Sequence, residues 1–237
     1  MNDWIPNDLR WDLTPAEAIA LQTEMAARVR PANDFDPEAV RSIAGIDASY
    51  RDDPVTGLGV SRAAVVVLGY PDLQPIEQVV ATSDVTFPYV PGLLSFREAP
   101  GVLAALRRLT VRPDLLMLDG QGIAHPRRFG IASHIGVLTD TPAIGVAKSV
   151  LTGRYENLGE APGDSAPLIY RGEQIGTALR SRARSNPLIL SPGHRIDLPT
   201  AVDFVRACLR GYRLPEPTRL ADRLAGERPE AAPAAEQ

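Results

Sequence analysis

Over Ser42–Tyr50 the side chains alternate between two faces. Ile43, Gly45 and Asp47 share one, and Ala44, Ile46 and Ala48 the other, which predicts a strand. Val60–Leu68 and Ile76–Ser83 read as two more strands. Turn residues lie between them, Asp52-Asp53-Pro54 with Gly57 and Gly59, then Tyr70–Pro75. Short turns make neighbours antiparallel, so the three form a meander. Leu115–Leu118 is a short apolar run, as expected of a buried strand, and it ends on Asp119; Ala143–Ala147 is a second, ending before Lys148. Ile131–Leu138 between them reads as a short apolar helix, with His134 structural among apolar neighbours. A strand–helix–strand crossover makes the two strands parallel and brings Lys148 close to Asp119.

Helical spacing appears elsewhere. Thr14-Pro15-Ala16-Glu17 is a start signal, with Thr as cap, Pro at the first position and Glu at the third. Ala18, Leu21, Met25 and Val29 then line one face to about Arg30, before Pro31. A second helix is expected from about Gly92 or Ser95 to Arg108, kinked or restarted at Pro100. Leu168–Tyr170 and Ile175–Arg180 suggest a hairpin. Arg180, Arg182 and Arg184 alternate there, as a phosphate stripe or a solvated edge. Leu188 begins a strand that turns at His194, and a last helix runs from Pro199 to Gly211. From Pro215 the chain is mostly Pro, Ala, Glu and Arg, which predicts a poorly ordered tail over 215–237. The expected fold is α/β: one domain over 1–214, with a mixed sheet (antiparallel three-strand meander plus parallel strands) flanked by helices.

Composition narrows the function. The 237 residues are 44% hydrophobic, enough for one sizeable core. No stretch of 18 apolar residues marks a membrane span, and the acidic N-terminus is unlike a signal peptide. The single cysteine, Cys208, excludes an internal disulfide and a cysteine-based zinc cluster. A soluble, cytoplasmic monomer is expected. The net charge of −4 argues against nonspecific coating of nucleic acid, but a few clustered cations suffice for a local grip.

Three acids demand an explanation. Asp47 lies inside a strand, where an acid is disfavoured and costly without a partner. Glu98 lies early in the helix after the meander, and Asp119 at a strand tip. If the three converge, a hard divalent cation explains them: oxygen ligands without cysteine suit Mg²⁺ or Mn²⁺. With Lys148 and His194 nearby, such a site suits phosphoryl chemistry. Pro88-Tyr89-Val90-Pro91 is a stiff segment, because each proline restricts itself and its predecessor. It reads as a wedge for a base stack or as a connection packing its aromatics on the core.

Five segments together resemble the ordered motifs of the endonuclease V family, the deoxyinosine 3′ endonucleases, which have a ribonuclease H-like fold. They are Ala44-Gly-Ile-Asp-Ala-Ser-Tyr50, Phe87-Pro-Tyr-Val-Pro-Gly-Leu-Leu-Ser-Phe-Arg-Glu98, Leu118-Asp-Gly-Gln-Gly-Ile-Ala-His-Pro-Arg-Arg-Phe-Gly130, Pro142-Ala-Ile-Gly-Val-Ala-Lys-Ser149 and Ser191-Pro-Gly-His-Arg195. The resemblance spans about residues 14–212. It implies that Asp47, Glu98 and Asp119 bind Mg²⁺, for which Mn²⁺ can substitute. Lys148 would act as a cation near the scissile phosphate, and His194 would position water or a phosphate oxygen. Pro88–Pro91 would be the wedge, with Tyr89 stacking in the opened gap. Leu94, Gly120, Gly122, Gly130, Ile131, Ala147 and Leu151 would line a pocket for a flipped hypoxanthine, with His125 beside it. Gln121 departs from the His or Asn usual in the family. The implied partner is inosine-containing DNA, with RNA left open. The implied cut is at the second phosphodiester 3′ to the inosine, leaving a 3′-hydroxyl and a 5′-phosphate. Arg127 and Arg128 stay open between a nucleic-acid contact and a solvated basic face. The competing readings are another ribonuclease H-like nuclease of resolvase type and a non-catalytic nucleic-acid binding module.

Overall fold

The computed structural model describes residues 3–52 and 59–227. One sheet of eight strands organises them, in the order β3-β2-β1-β4-β5-β8-β7-β6. The meander is β1 (Ser42–Asp52), β2 (Gly59–Gly69) and β3 (Pro75–Val85), paired antiparallel as its alternation and turns predict. The turn expected near residues 53–58 lies outside the described residues. At the centre, β1 pairs parallel with β4 (Leu115–Leu118), and β4 parallel with β5 (Ala143–Ala147). β6 (Ser165–Tyr170), β7 (Glu173–Leu179) and β8 (Leu188–His194) complete the sheet with antiparallel pairings.

Helices cover both faces, as a centrally buried sheet requires. On one face, α2 (Leu94–Leu106) and α3 (Ile131–Thr139) bury Val102, Leu103, Leu106, Ala132 and Ile135 against Ala44, Ile46, Val65, Leu116 and Leu118. On the other, α4 (Leu198–Ala207) and α5 (Glu216–Gly226) bury Ala201, Val205 and Ala221 against Ile43, Leu115, Met117, Ile144 and Leu190. The alternation read in β1 therefore holds, and Asp47 belongs to the α4–α5 side. α1 (Pro15–Ala26) begins with the expected capping box between Thr14 and Glu17, and it ends sooner than the apolar spacing suggests. α2 accommodates Pro100 without interruption. His134 is buried, bonded to Ser95 Oγ at 3.2 Å and packed against Trp11, Phe96 and Phe129, so it is structural.

Two expectations need correction. β7 ends at Leu179, so Arg180, Arg182 and Arg184 do not alternate along a strand. Arg180 instead ties Gly159 and Ser185 carbonyls together. The tail expected from Pro215 is a helix over Glu216–Gly226, with residues 228–237 outside the described set. Its start is Pro215-Glu216-Pro217, and Thr218, Ala221 and Ala225 recur at spacings of three and four on its buried side. Small residues let it sit close to the sheet. A Cβ on Gly45 would lie 1.9 Å from the Pro217 carbonyl oxygen, so β1 and α5 touch backbone to backbone. Gly45→Ala is therefore expected to destabilise the protein by about 1–3 kcal/mol and to expose α5 to protease. An unchanged urea midpoint with an intact C-terminal helix would contradict this contact.

Candidate active site

Parallel pairing sets the acids level. Ile46, Leu118 and Gly145 form one row across β1, β4 and β5. One residue further along are Asp47 and Asp119, with Asp119 N–H donating to the Ile46 carbonyl at 2.9 Å. Both side chains point to the α5 side, where that helix supplies Asp222. Asp47, Asp119 and Asp222 each present a carboxylate oxygen within 4.8 Å of the others. Lys148, just past β5, places Nζ 2.5 Å from Asp119 Oδ2 and 2.5 Å from Asp222 Oδ1, as the crossover predicts for Asp119. Arg213 holds the Lys148 carbonyl at 2.6 Å.

The electrostatics show a crowded negative site. Burial, then the charge of Asp119, pushes Asp47 up to about 7. Burial, then Asp47 and Asp119, pushes Glu98 up to about 8, so Glu98 of α2 shares the same field from the opposite face. Burial also raises Asp119, although the Lys148 contact opposes it. For Lys148, burial disfavours the charge, but the bonds to Asp119 and Asp222 outweigh it and keep the ammonium protonated. Three carboxylates around one ammonium, all with hard oxygen donors, fit a divalent cation of the Mg²⁺ type.

A cleft of about 410 Å³ opens beside the acids. Asp47, Glu98, Asp119 and Lys148 line it together with Tyr89, Val90, Pro91, Leu94, Gly120, His125, Gly130, Ile131, Ala147 and Leu151. Tyr89 is 69% exposed at its rim. Gly120 has φ +151°, and a Cβ there would strike Ile131 Cγ2 at 2.4 Å, so only glycine lets the chain turn beside Asp119. Gln121 also lines the cleft, but its amide donates to the Ser149 carbonyl at 2.9 Å, tying the β4 loop to the β5 loop.

Three expected residues lie elsewhere. Pro88 is exposed and does not line the cleft. Gly122 is spent behind it: its N–H donates to Ser191 Oγ, its carbonyl accepts from Gly130 N–H, and a Cβ would strike the Pro192 carbonyl at 2.0 Å. His194 is the larger correction. It pairs with Ala143 at the start of β5, whereas Lys148 follows the end of β5. Five residue steps along the strand separate these levels by about 16 Å. Arg30 N–H donates to His194 Nδ1 at 3.3 Å, and Nε2 faces Asp140 at 3.4 Å. His194 thus joins the N-terminal segment to the α3–β5 turn. In its place the fold brings Asp222, which the composition-based reading of a disordered tail concealed.

The two raised acids have a consequence for stability. An unfolded Asp or Glu releases its proton near pH 4, whereas Asp47 and Glu98 in the fold hold theirs to about 7 and 8. The folded state therefore binds more protons between those values, and stability should fall as pH rises from 5 to 9. In chelator, melting temperature should decline over this window, and Asp47→Asn should flatten the decline. Mg²⁺ should stabilise more at pH 8 than at pH 5, because binding must displace those protons. A pH-independent melting temperature in chelator would contradict the crowding of the acids.

The comparisons agree with this architecture. The family model for endonuclease V matches residues 23–223. An endonuclease V of Nostoc punctiforme is 52% identical over 218 residues, covering 92% of this chain and 96% of that protein. The crystal structure of an endonuclease V from Streptomyces avermitilis superimposes with a TM-score of 0.84 at 44% identity, covering 93% of this chain and 94% of that one. An endonuclease V from Ciona intestinalis, crystallised with a 24mer DNA containing an inosine followed by a ribo-adenosine, gives a TM-score of 0.75 at 28% identity and covers 89% of this chain and 95% of its own. A match of this extent, over a sheet that gathers acids beside a deep cleft, establishes that the chain belongs to the endonuclease V family.

Proposed function

We propose that this enzyme recognises inosine in nucleic acid and, with Mg²⁺, cleaves the second phosphodiester bond 3′ to it, leaving a 3′-hydroxyl and a 5′-phosphate. The observation that carries this reading is that one cleft is lined jointly by carboxylates and Lys148, by the apolar side chains of Leu94, Ile131, Ala147 and Leu151, and by exposed Tyr89. The inosine-containing DNA in the complex of the Ciona relative supports the choice of substrate.

Each part has a physical role. Reading one base from a duplex requires taking it out of the stack. Tyr89, stiffened by Pro88 and Pro91, fills the gap that the base leaves. The recess between Leu94, Gly120, Ile131, Ala147 and Leu151 receives the hypoxanthine. Its 6-oxo group and N1–H present an acceptor and a donor where adenine presents a donor and an acceptor. Fixed backbone groups that pair with the first pattern leave the second unpaired, at a cost of about 1–3 kcal/mol. His125, neutral because burial and then Arg127 lower it to about 4, closes the recess without adding charge. Asp47, Asp119 and Asp222 would hold the cation, with Glu98 at the edge of the site. A bound divalent cation supplies charge for the phosphate and lowers the pKa of water. Lys148 keeps its proton and offers a second positive charge to the phosphate.

Labelled duplexes and single strands of DNA and RNA with one inosine test this reading, with and without Mg²⁺. Asp47→Ala and Asp119→Ala should abolish cutting while preserving binding. Tyr89→Ala should weaken binding to inosine duplexes and leave metal binding unchanged. A nick indifferent to the inosine, or full activity in either Asp variant, would overturn the reading.

A further inference from the structure

The wedge segment ends at Gly92, whose φ of +78° turns the chain toward α2. Three side chains converge on its carbonyl oxygen. Gln22 Nε2 donates at 3.1 Å, His125 Nε2 lies at 3.0 Å and Arg127 Nη2 donates at 2.7 Å. A carbonyl offers two lone pairs, so three donors saturate it. The donors are themselves locked together. Arg127 N–H donates to His125 Nδ1 at 3.2 Å, which leaves the proton of the neutral ring on Nε2, facing Gly92. Arg127 Nε donates to Gln22 Oε1, and Gln22 Nε2 also donates to the Phe129 carbonyl at 2.8 Å. Gln22 is wholly buried, with every polar atom used. It belongs to α1, outside all five motif segments, and none of its partners is an acid of the site.

This arrangement joins α1, the wedge segment and the β4–α3 loop at one oxygen atom. The Leu93 N–H to Val90 carbonyl bond, 2.9 Å, closes a turn directly between that oxygen and the prolines. A side chain pushed into a duplex works only if its backbone does not yield, because opening a stacked pair costs free energy that a compliant loop would return by moving. Resting on the inosine-directed reading, we propose that Gln22, with Arg127 and His125, forms a clamp on the Gly92 carbonyl that holds the Tyr89 segment rigid while it opens a paired inosine. Gln22 is then a positioning residue for strand separation, not for cutting. His125 belongs to the same clamp and meets the base only as part of the recess wall.

A clamp of this kind matters where strands must be parted and is dispensable where the inosine is already unpaired. Gln22→Met keeps length and apolar volume and removes the polar atoms. Single-turnover cutting by the full chain should fall about tenfold on an inosine duplex, the loss expected from breaking one buried hydrogen-bond node, and change less than about twofold on a single strand of the same sequence. An inosine placed in a bubble should restore the rate. Fluorescence of 2-aminopurine beside the inosine, which reports opening without cutting, should rise less on binding to the variant. Arg127 is partly exposed, so Arg127→Met provides the same comparison should the buried variant fail to fold. Equal losses on duplex and single strand, or no loss on the duplex, would overturn the clamp. A parent enzyme that cuts inosine in neither substrate would instead fail the activity reading. The fluorescence arm still decides the clamp in that event, with an equal rise in parent and variant counting against it.

Discussion

Gathering like charges in a half-dry place is the constraint on which this structure turns. Asp47, Asp119 and Asp222 lie within 4.8 Å of one another, with Lys148 as the cation between two of them. Burial, then the charge of Asp119, raises the proton affinity of Asp47, and burial raises that of Asp119. The fold tolerates this crowding because three independent devices fix the acids. Parallel pairing of β1 and β4 sets Asp47 and Asp119 level. The absence of a side chain at Gly45 brings α5 down to the sheet and delivers Asp222. The β4–α3–β5 crossover brings Lys148 over Asp119. Each device is a backbone feature, so the acids cannot move apart without unpairing strands or lifting a helix.

The recess beside the acids is built from the same elements. Gly120 follows Asp119 directly, and its positive-φ turn places Gln121 where its amide can tie the β4 loop to Ser149. Recognition and chemistry are therefore connected by covalent neighbours: Asp119 to Gly120 on one side, Ala147 to Lys148 on the other. In the proposed function, a base seated against Gly120 and Ala147 would lie beside the acids through these same neighbours.

Much of this was legible in the chain. The alternation in β1 correctly assigned Asp47 to one face, and the apolar runs before Asp119 and Lys148 correctly announced buried parallel strands. These signals survive because they depend on local period alone. Asp222 was hidden because its helix is rich in Ala, Glu, Arg and Pro, a composition shared with disordered tails. Its true signal was the narrow stripe of Pro217, Thr218, Ala221 and Ala225, small residues suited to lying against Gly45. His194 was misplaced for a different reason. A strand's sequence does not state its direction, and antiparallel pairing of β8 with β5 carries His194 to the end of the strands opposite Lys148. Gly122 failed likewise: its glycine serves close packing against Pro192, a requirement that only the assembled loop reveals.

Acids from β1, from the residue after β4 and from α5 together fit one cation site. Crystals of the protein equilibrated with Mn²⁺, measured at the manganese absorption edge, test it most directly. An anomalous peak bounded by carboxylate oxygens of Asp47, Asp119 and Asp222 is expected. No peak there at millimolar Mn²⁺, or one whose ligands exclude Asp222, would contradict it.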